Sequence, residues 1–164
     1  MTTNKETFLR LLEEHKGIVI KICNAYCQSR DDKEDLSQEI VYNLWKAFAT
    51  YTPDYKFSTW LYRVALNVAI SYYRREKRSL QYSPYDENLI IFNEEGYNEE
   101  LDENLLLLQQ FVLELKEIDK SIMLLYLDDR SYREIAEITG ISQTNVATKI
   151  NRIKTNLKTK FSNH

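Results

Sequence analysis

FSTWLYRVALNVAISYYRREKR, residues 57–78, is the stretch on which the reading of this chain turns. No Gly or Pro interrupts it before Pro84, so it reads as one helix, with Ser58 or Thr59 available as its cap. At 3.6 residues per turn it has three faces. Leu61, Val64, Ala65, Val68 and Tyr72 form one side; Tyr62, Leu66, Ala69, Ile70 and Tyr73 form a second, so two neighbouring helices can cover it. The third face is Trp60, Arg63, Asn67, Ser71, Arg74 and Arg78, at spacings of three and four. Guanidinium groups suit phosphates, an amide suits a base edge and an indole suits stacking. A core helix with an ordinary wet face explains the same residues equally well, so the rest of the chain has to decide.

At 164 residues the chain has room for one domain or two small ones. Three Gly and two Pro leave little material for tight turns, which points to an all-α protein. Hydrophobic residues make up 43%, enough for packed cores. No window approaches the ~20 apolar residues of a membrane span, so no membrane insertion is expected. The first residues, MTTNKETF, lack the basic-then-apolar pattern of a signal peptide, and a cytoplasmic protein is expected. Cys23 and Cys27, one helical turn apart, read as buried thiols rather than a redox or metal pair. With only His15 and His164 beside them no zinc set is apparent, and no catalytic constellation or cofactor motif stands out.

The net charge of −3 is wrong for a nucleic-acid binder until its distribution is read. Between Ser79 and Leu115 there is no Lys or Arg, while acids recur at Asp86, Glu87, Glu94, Glu95, Glu99, Glu100, Asp102, Glu103 and Glu114. From Ile138 onward the pattern inverts, and Lys149, Arg152, Lys154, Lys158 and Lys160 are expected to meet no carboxylate. Two basic surfaces are thus separated by an acidic segment.

Outward from the central stretch, a first helix is expected from Thr3 or Asn4 to about Cys27, with Phe8, Leu11, Leu12, Val19, Ile22 and Tyr26 inside and Gly17 as a weak point. A second helix, capped by Asp31 or Asp32, runs to about Tyr51 and buries Leu36, Ile40, Leu44, Ala47 and Phe48. Its opposite row, Asp35, Gln38, Glu39, Tyr42 and Lys46, is either a solvated face or a docking surface for a protein. The turn 52–56 brings Tyr51, Tyr55 and Phe57 together, where rings can receive an unstacked base or plug the helix junction. Phe57, one turn before Leu61, is the ring closest to the core pattern, and Tyr55 and Trp60 are the better stacking candidates.

Residues 80–100 read as an acidic linker with an apolar cluster at Leu89, Ile90, Ile91 and Phe92. This divides the chain into domains 1–79 and 101–164. Helical periodicity returns at Leu105, Leu108, Val112 and Leu115, and Asp119 is expected to cap the next helix. Ser131 with Glu134 forms a capping box, Gly140 supplies a left-handed turn residue, and Ser142 caps a further helix. With Ile135, Ile138, Ile141, Val146, Ile150 and Ile153 inside, this is a helix-turn-helix pattern, a helical hairpin that does not bind DNA being the other reading. The outer face of its second helix carries Gln143, Asn145, Thr148, Lys149 and Arg152, types suited to a major groove.

Two basic helical elements, one beside exposed aromatics and one a helix-turn-helix, resemble the DNA-binding domains of bacterial RNA polymerase sigma factors of the sigma-70 family. The similarity is to the ECF (extracytoplasmic-function) group, which keeps only the second and fourth conserved regions. DDKEDLSQEIVYNLWKAF looks like region 2.2, KFSTWLYRVALNVAISYYRREKR like regions 2.3 and 2.4, and DKSIMLLYLDDRSYREIAEITGISQTNVATKINRIKTNLK like region 4.

The resemblance implies two helical domains and a polymerase subunit, not an enzyme, that recognises promoters and helps to open them. It implies core polymerase as partner, through its clamp helices and flap region, with promoter DNA both duplex and single-stranded; an anti-sigma factor is a further candidate. Asp35, Gln38 and Glu39 match a D-x-x-Q-E motif that binds the clamp, with Tyr42 beside them. Tyr55, Phe57, Trp60, Arg63, Asn67, Ser71, Arg74 and Arg78 fall on the elements that contact and melt the −10 region. Gln143, Asn145, Thr148, Lys149 and Arg152 fall on the helix that reads the −35 element. Ala147 stands where many relatives carry Arg, which bears on the particular −35 sequence. The alternative is a stand-alone dimeric helix-turn-helix regulator, and a third possibility is a pure protein-interaction module.

Overall fold

The computed structural model describes residues 4–79 and 99–163, with side chains described for 4–77 and 103–163. The regular structure among them is helical, and it divides into two units, Met1–Asp86 and Glu87–His164. The Leu89–Phe92 cluster, most of the acidic linker, the Thr3 cap and the Arg78 side chain lie outside the described residues.

The first unit holds α1 (Asn4–Glu14), α2 (Lys16–Tyr26), α3 (Arg30–Ala47) with a 3-10 turn at Phe48–Thr50, and α4 (Phe57–Ser79). The single N-terminal helix expected from the sequence is in fact two. His15 leaves helical geometry (φ −118°, ψ 14°), and its Nδ1 donates to the Leu11 carbonyl at 2.8 Å. Gly17, two residues later, adds little to hold the helix continuous across that point.

Two expected caps are also displaced. Ser29, in extended geometry, accepts the Asp32 N–H at 3.0 Å and caps α3, leaving Asp31 and Asp32 in the first turn, where their charge suits the helix dipole. In α4 the Trp60 N–H bonds the Lys56 carbonyl at 3.2 Å, so Ser58 and Thr59 lie inside the first turn.

Helix α4 packs against both α2 and α3. The two apolar sides read from its sequence meet along a shared border: Leu61, Tyr62, Ala65, Leu66, Ala69 and Tyr72 are buried, while Val64, Val68, Ile70 and Tyr73 flank them half-buried. Against them stand Ile22, Leu36, Ile40 and Leu44, all fully buried. Each such side chain stabilises the fold by about 1.5–3 kcal/mol relative to leaving it exposed. Cys23 and Cys27 lie in this core as free thiols, and burial pushes them up to about 11 and about 12. Burial, and then the Asp32 carboxylate that accepts its hydroxyl at 3.4 Å, also raise the Tyr72 phenol.

The second unit holds α5 (Glu99–Glu114), α6 (Glu117–Leu127), α7 (Tyr132–Thr139) and α8 (Gln143–Ser162). Helix α5 begins at Glu99, inside the segment read as linker. Lys116, not Asp119, occupies the N-cap position of α6, and Asp119 points from its first turn. The helix-turn-helix has the expected caps. Ser131 accepts the Glu134 N–H at 3.1 Å, and Ser142 accepts the Asn145 N–H at 3.1 Å. Gly140 sits at φ 82°, a left-handed conformation that costs glycine little. Ile122, Leu125, Ile135, Val146 and Ile150 are fully buried and close the core of this unit. No helix among the described residues is long and apolar enough to cross a membrane.

Candidate nucleic-acid interface

In the first unit the polar stripe of α4 faces outward. Arg63, Asn67, Ser71 and Arg74 are all exposed, because the buried border of the helix lies on its opposite side. At the N-terminal end of the stripe the aromatic rings separate into two groups. Phe57 is only 6% exposed, with its ring against those of His15 (centroids 5.0 Å apart), Tyr51 (5.6 Å) and Trp60 (5.4 Å). In this geometry it packs into the junction, and little of its ring is open to solvent. Trp60 is half-buried and also touches Phe48 and Tyr51, so only part of its indole is accessible.

Tyr55 differs from both. It is 57% exposed in the turn before α4, and the Tyr51 hydroxyl donates to its backbone carbonyl at 3.0 Å. That bond fixes the turn without engaging the Tyr55 ring.

On α3, Asp35, Gln38 and Tyr42 are exposed along one row, with Tyr42 at 63%. Glu39 is half-buried, and its carboxylate accepts from the Arg75 guanidinium of α4 at 2.6 Å. This pair ties the row to the α4 helix. Trp45 was missed by sequence reasoning: it is 45% exposed, with its ring 5.2 Å from that of Phe8. Its spacing of three from Tyr42 and seven from Gln38 places it on the same row, a signal that was available in the sequence.

In the second unit Gln143, Asn145 and Thr148 are exposed at the start of α8. The two cations behind them are not unpartnered, which corrects the expectation drawn from their acid-free segment. Lys149 Nζ lies 3.4 Å from Asp119 Oδ1, and an Arg152 terminal nitrogen lies 3.5 Å from Asp119 Oδ2. Further along, Lys160 pairs with Glu114. Tertiary packing supplies these carboxylates from α6 and α5, which the local sequence of α8 could not reveal. Lys154 is directed over the Tyr126 ring at 4.5 Å, and its hydrogen bond to that residue raises its pKa.

Comparison with known proteins gives the same division of the chain. Residues 11–79 match the family model for Sigma-70 region 2, and residues 105–157 match that for Sigma-70, region 4. The chain is 30% identical over 165 residues to the ECF RNA polymerase sigma-E factor of Escherichia coli (strain K12), covering 92% of this chain and 84% of that one. It is 26% identical over 160 residues to the ECF RNA polymerase sigma factor SigW of Bacillus subtilis (strain 168), covering 91% and 86%. Its fold is similar to that of the sigma factor RpoE in complex with the anti-sigma factor NepR from Bartonella quintana (TM-score 0.73, 18% identity, 96% of each chain). It is also similar to CnrH in complex with the cytosolic domain of CnrY (TM-score 0.69, 19% identity, 96% of this chain and 89% of that one). With a region 2 helical unit, a region 4 helix-turn-helix and a relative 30% identical over 84% of its own length, this chain belongs to the ECF group of the sigma-70 family of RNA polymerase sigma factors.

Proposed function

We propose that this sigma factor divides promoter recognition between its two units, with α8 reading closed duplex and the Tyr55 turn with the α4 stripe handling the opened strand. Membership of the family makes the chain a transcription-initiation factor, acting through core RNA polymerase and promoter DNA. The observation that carries the division is the contrast in exposed groups. Arg63, Asn67, Ser71 and Arg74 line the exposed surface of α4 and the exposed Tyr55 ring lies in the turn that precedes it, whereas α8 presents Gln143, Asn145 and Thr148 from a capped helix-turn-helix. Opening a duplex costs a few kcal/mol per unstacked base, and binding the unstacked base offsets that cost.

In this reading Asp35, Gln38, Glu39 and Tyr42 dock core polymerase, with Glu39 oriented by Arg75 and Trp45 extending the surface. Such a factor works in the cytoplasm, where polymerase and chromosome are. An anti-sigma factor is a further candidate partner, by analogy with the Bartonella quintana complex. A stand-alone dimeric regulator would need only the helix-turn-helix, and the region 2 match over residues 11–79 favours the sigma factor.

The test is gel filtration of labelled promoter DNA with the full chain, with and without core polymerase, alongside Gln38→Ala combined with Glu39→Ala. The promoter should co-elute tightly only when polymerase is present. The double variant should keep its circular dichroism and lose at least about tenfold in polymerase affinity, equivalent to about 1.4 kcal/mol. Tight duplex binding by a dimer of the chain alone would favour the regulator instead.

A further inference from the structure

We infer that Asp119 is an internal rival of the DNA phosphates for Lys149 and Arg152, so that the second unit holds its duplex affinity in check until a phosphate displaces the carboxylate. The inference rests on the reading of those two cations as duplex contacts and adds a regulating residue to it.

Each carboxylate oxygen of Asp119 faces one cation: Oδ1 lies 3.4 Å from Lys149 Nζ, and Oδ2 lies 3.5 Å from an Arg152 terminal nitrogen. The Asp119 side chain is 14% exposed and that of Lys149 30%, so this pair is partly withdrawn from water. The Arg152 side chain remains 56% exposed. Asp119 projects from the first turn of α6, where the partial positive charge of the helix end also favours a carboxylate. It is therefore fixed in place by the fold rather than by the cations alone.

Lys149 and Arg152 are three residues apart on α8 and share one side of it, and with Asp119 they line a single recess between α6 and α8. Within this trio one positive charge is cancelled by the carboxylate; Glu114, Lys116 and Glu117 also line the recess, so removing the Asp119 charge leaves it one unit more positive toward an arriving phosphate. A phosphate has the same anionic oxygens as the carboxylate and must either displace it or share its partners. Full use of both cations then requires the geometry of a correctly seated duplex, and loosely placed DNA gains less from them.

The experiment measures binding of the full chain to a labelled random-sequence duplex by fluorescence anisotropy, from 50 to 200 mM monovalent salt. One added phosphate contact contributes a slope of about −0.9 in log K against log salt, so Asp119→Asn should bind about eightfold more tightly at 0.1 M. That advantage should shrink about 3.5-fold between 50 and 200 mM. Glu103→Gln removes the same charge from an exposed position on α5 and should leave affinity within about twofold, separating the local rivalry from overall charge.

An Asp119→Asn chain that is folded by circular dichroism yet binds no more tightly than the parent overturns the inference. Adding Lys149→Gln and Arg152→Gln to Asp119→Asn should abolish the gain. If that addition leaves duplex binding unchanged, the reading of the two cations as DNA contacts fails with it. If the addition weakens binding while Asp119→Asn alone brought no gain, only the rivalry fails. Should Asp119→Asn not fold, the unmutated chain still decides: the Asp119 carboxyl carbon resonance should move on adding duplex, and a resonance that stays in place refutes the rivalry.

Discussion

Replacing Tyr55 and Phe57 by Ala, one at a time, should separate a ring proposed to stack on an opened base from a ring that holds the fold. Phe57 is 6% exposed and packed among His15, Tyr51 and Trp60. A buried Phe→Ala change typically costs about 3–5 kcal/mol. For a domain of this size about 4–8 °C is lost per kcal/mol, so Phe57→Ala should lower the melting temperature by at least roughly 12 °C. Tyr55, 57% exposed, contributes to the turn through its carbonyl, which accepts the Tyr51 hydroxyl and survives the substitution. Tyr55→Ala should therefore stay within about 0.5 kcal/mol of the parent. Trp45 and Trp60 are the only tryptophans and both lie in the first unit, so tryptophan fluorescence reports its unfolding without interference from the second. With core polymerase, Tyr55→Ala should reduce promoter opening roughly 5- to 150-fold, the equivalent of about 1–3 kcal/mol for one base–aromatic stack. Permanganate footprinting of unpaired thymines measures this, and filter binding on the same complexes should show duplex capture unchanged. A promoter carrying mismatches around the −10 element should restore the variant. Opening at the parental level, or a loss that the mismatches do not restore, would refute the assignment of Tyr55 to the opened strand.

Two further outcomes concern the folded chain itself. A Cβ at Gly140 would meet nothing within 4 Å, so Gly140→Ala carries only the backbone cost of its φ of 82°, about 1–2 kcal/mol, and Gly140→Asn less; equal far-UV melting of the Ala variant and parent would contradict this. Cys23 and Cys27 are raised from 9.0 to about 11 and about 12, so in the folded state they keep their protons to higher pH than in the unfolded chain. Their stabilising contribution is complete below pH 9.0 and is lost as pH rises through the folded values. Urea midpoints should accordingly fall more steeply above pH 9 for the parent than for a Cys23→Ala, Cys27→Ala chain, and parallel profiles would count against it.

Features that depend on residues near one another along the chain are legible without the fold. Scarce Gly and Pro, the 3.6-residue period of 57–78 and the spacing of Ser131, Gly140 and Ser142 are local signals, and the all-α class, the α4 helix, the two-part division and the helix-turn-helix follow from them, whereas the break at His15 that makes two helices of the N-terminal one does not. The polar stripe Arg63, Asn67, Ser71 and Arg74 was legible for the same reason, since a helix turns its faces by a fixed angle per residue. Caps were less so, because several Ser, Thr and Asp residues near a helix start compete and only backbone geometry chooses among them; Ser29 took the place expected of Asp31 or Asp32. Which groups meet across large separations is set by helix packing. It buried Phe57 among His15, Tyr51 and Trp60, joined Glu39 to Arg75, and set Asp119 between Lys149 and Arg152. Local periodicity assigns a side chain to a face; the partner it meets there comes from another helix, whose approach is fixed by the packing of the whole core.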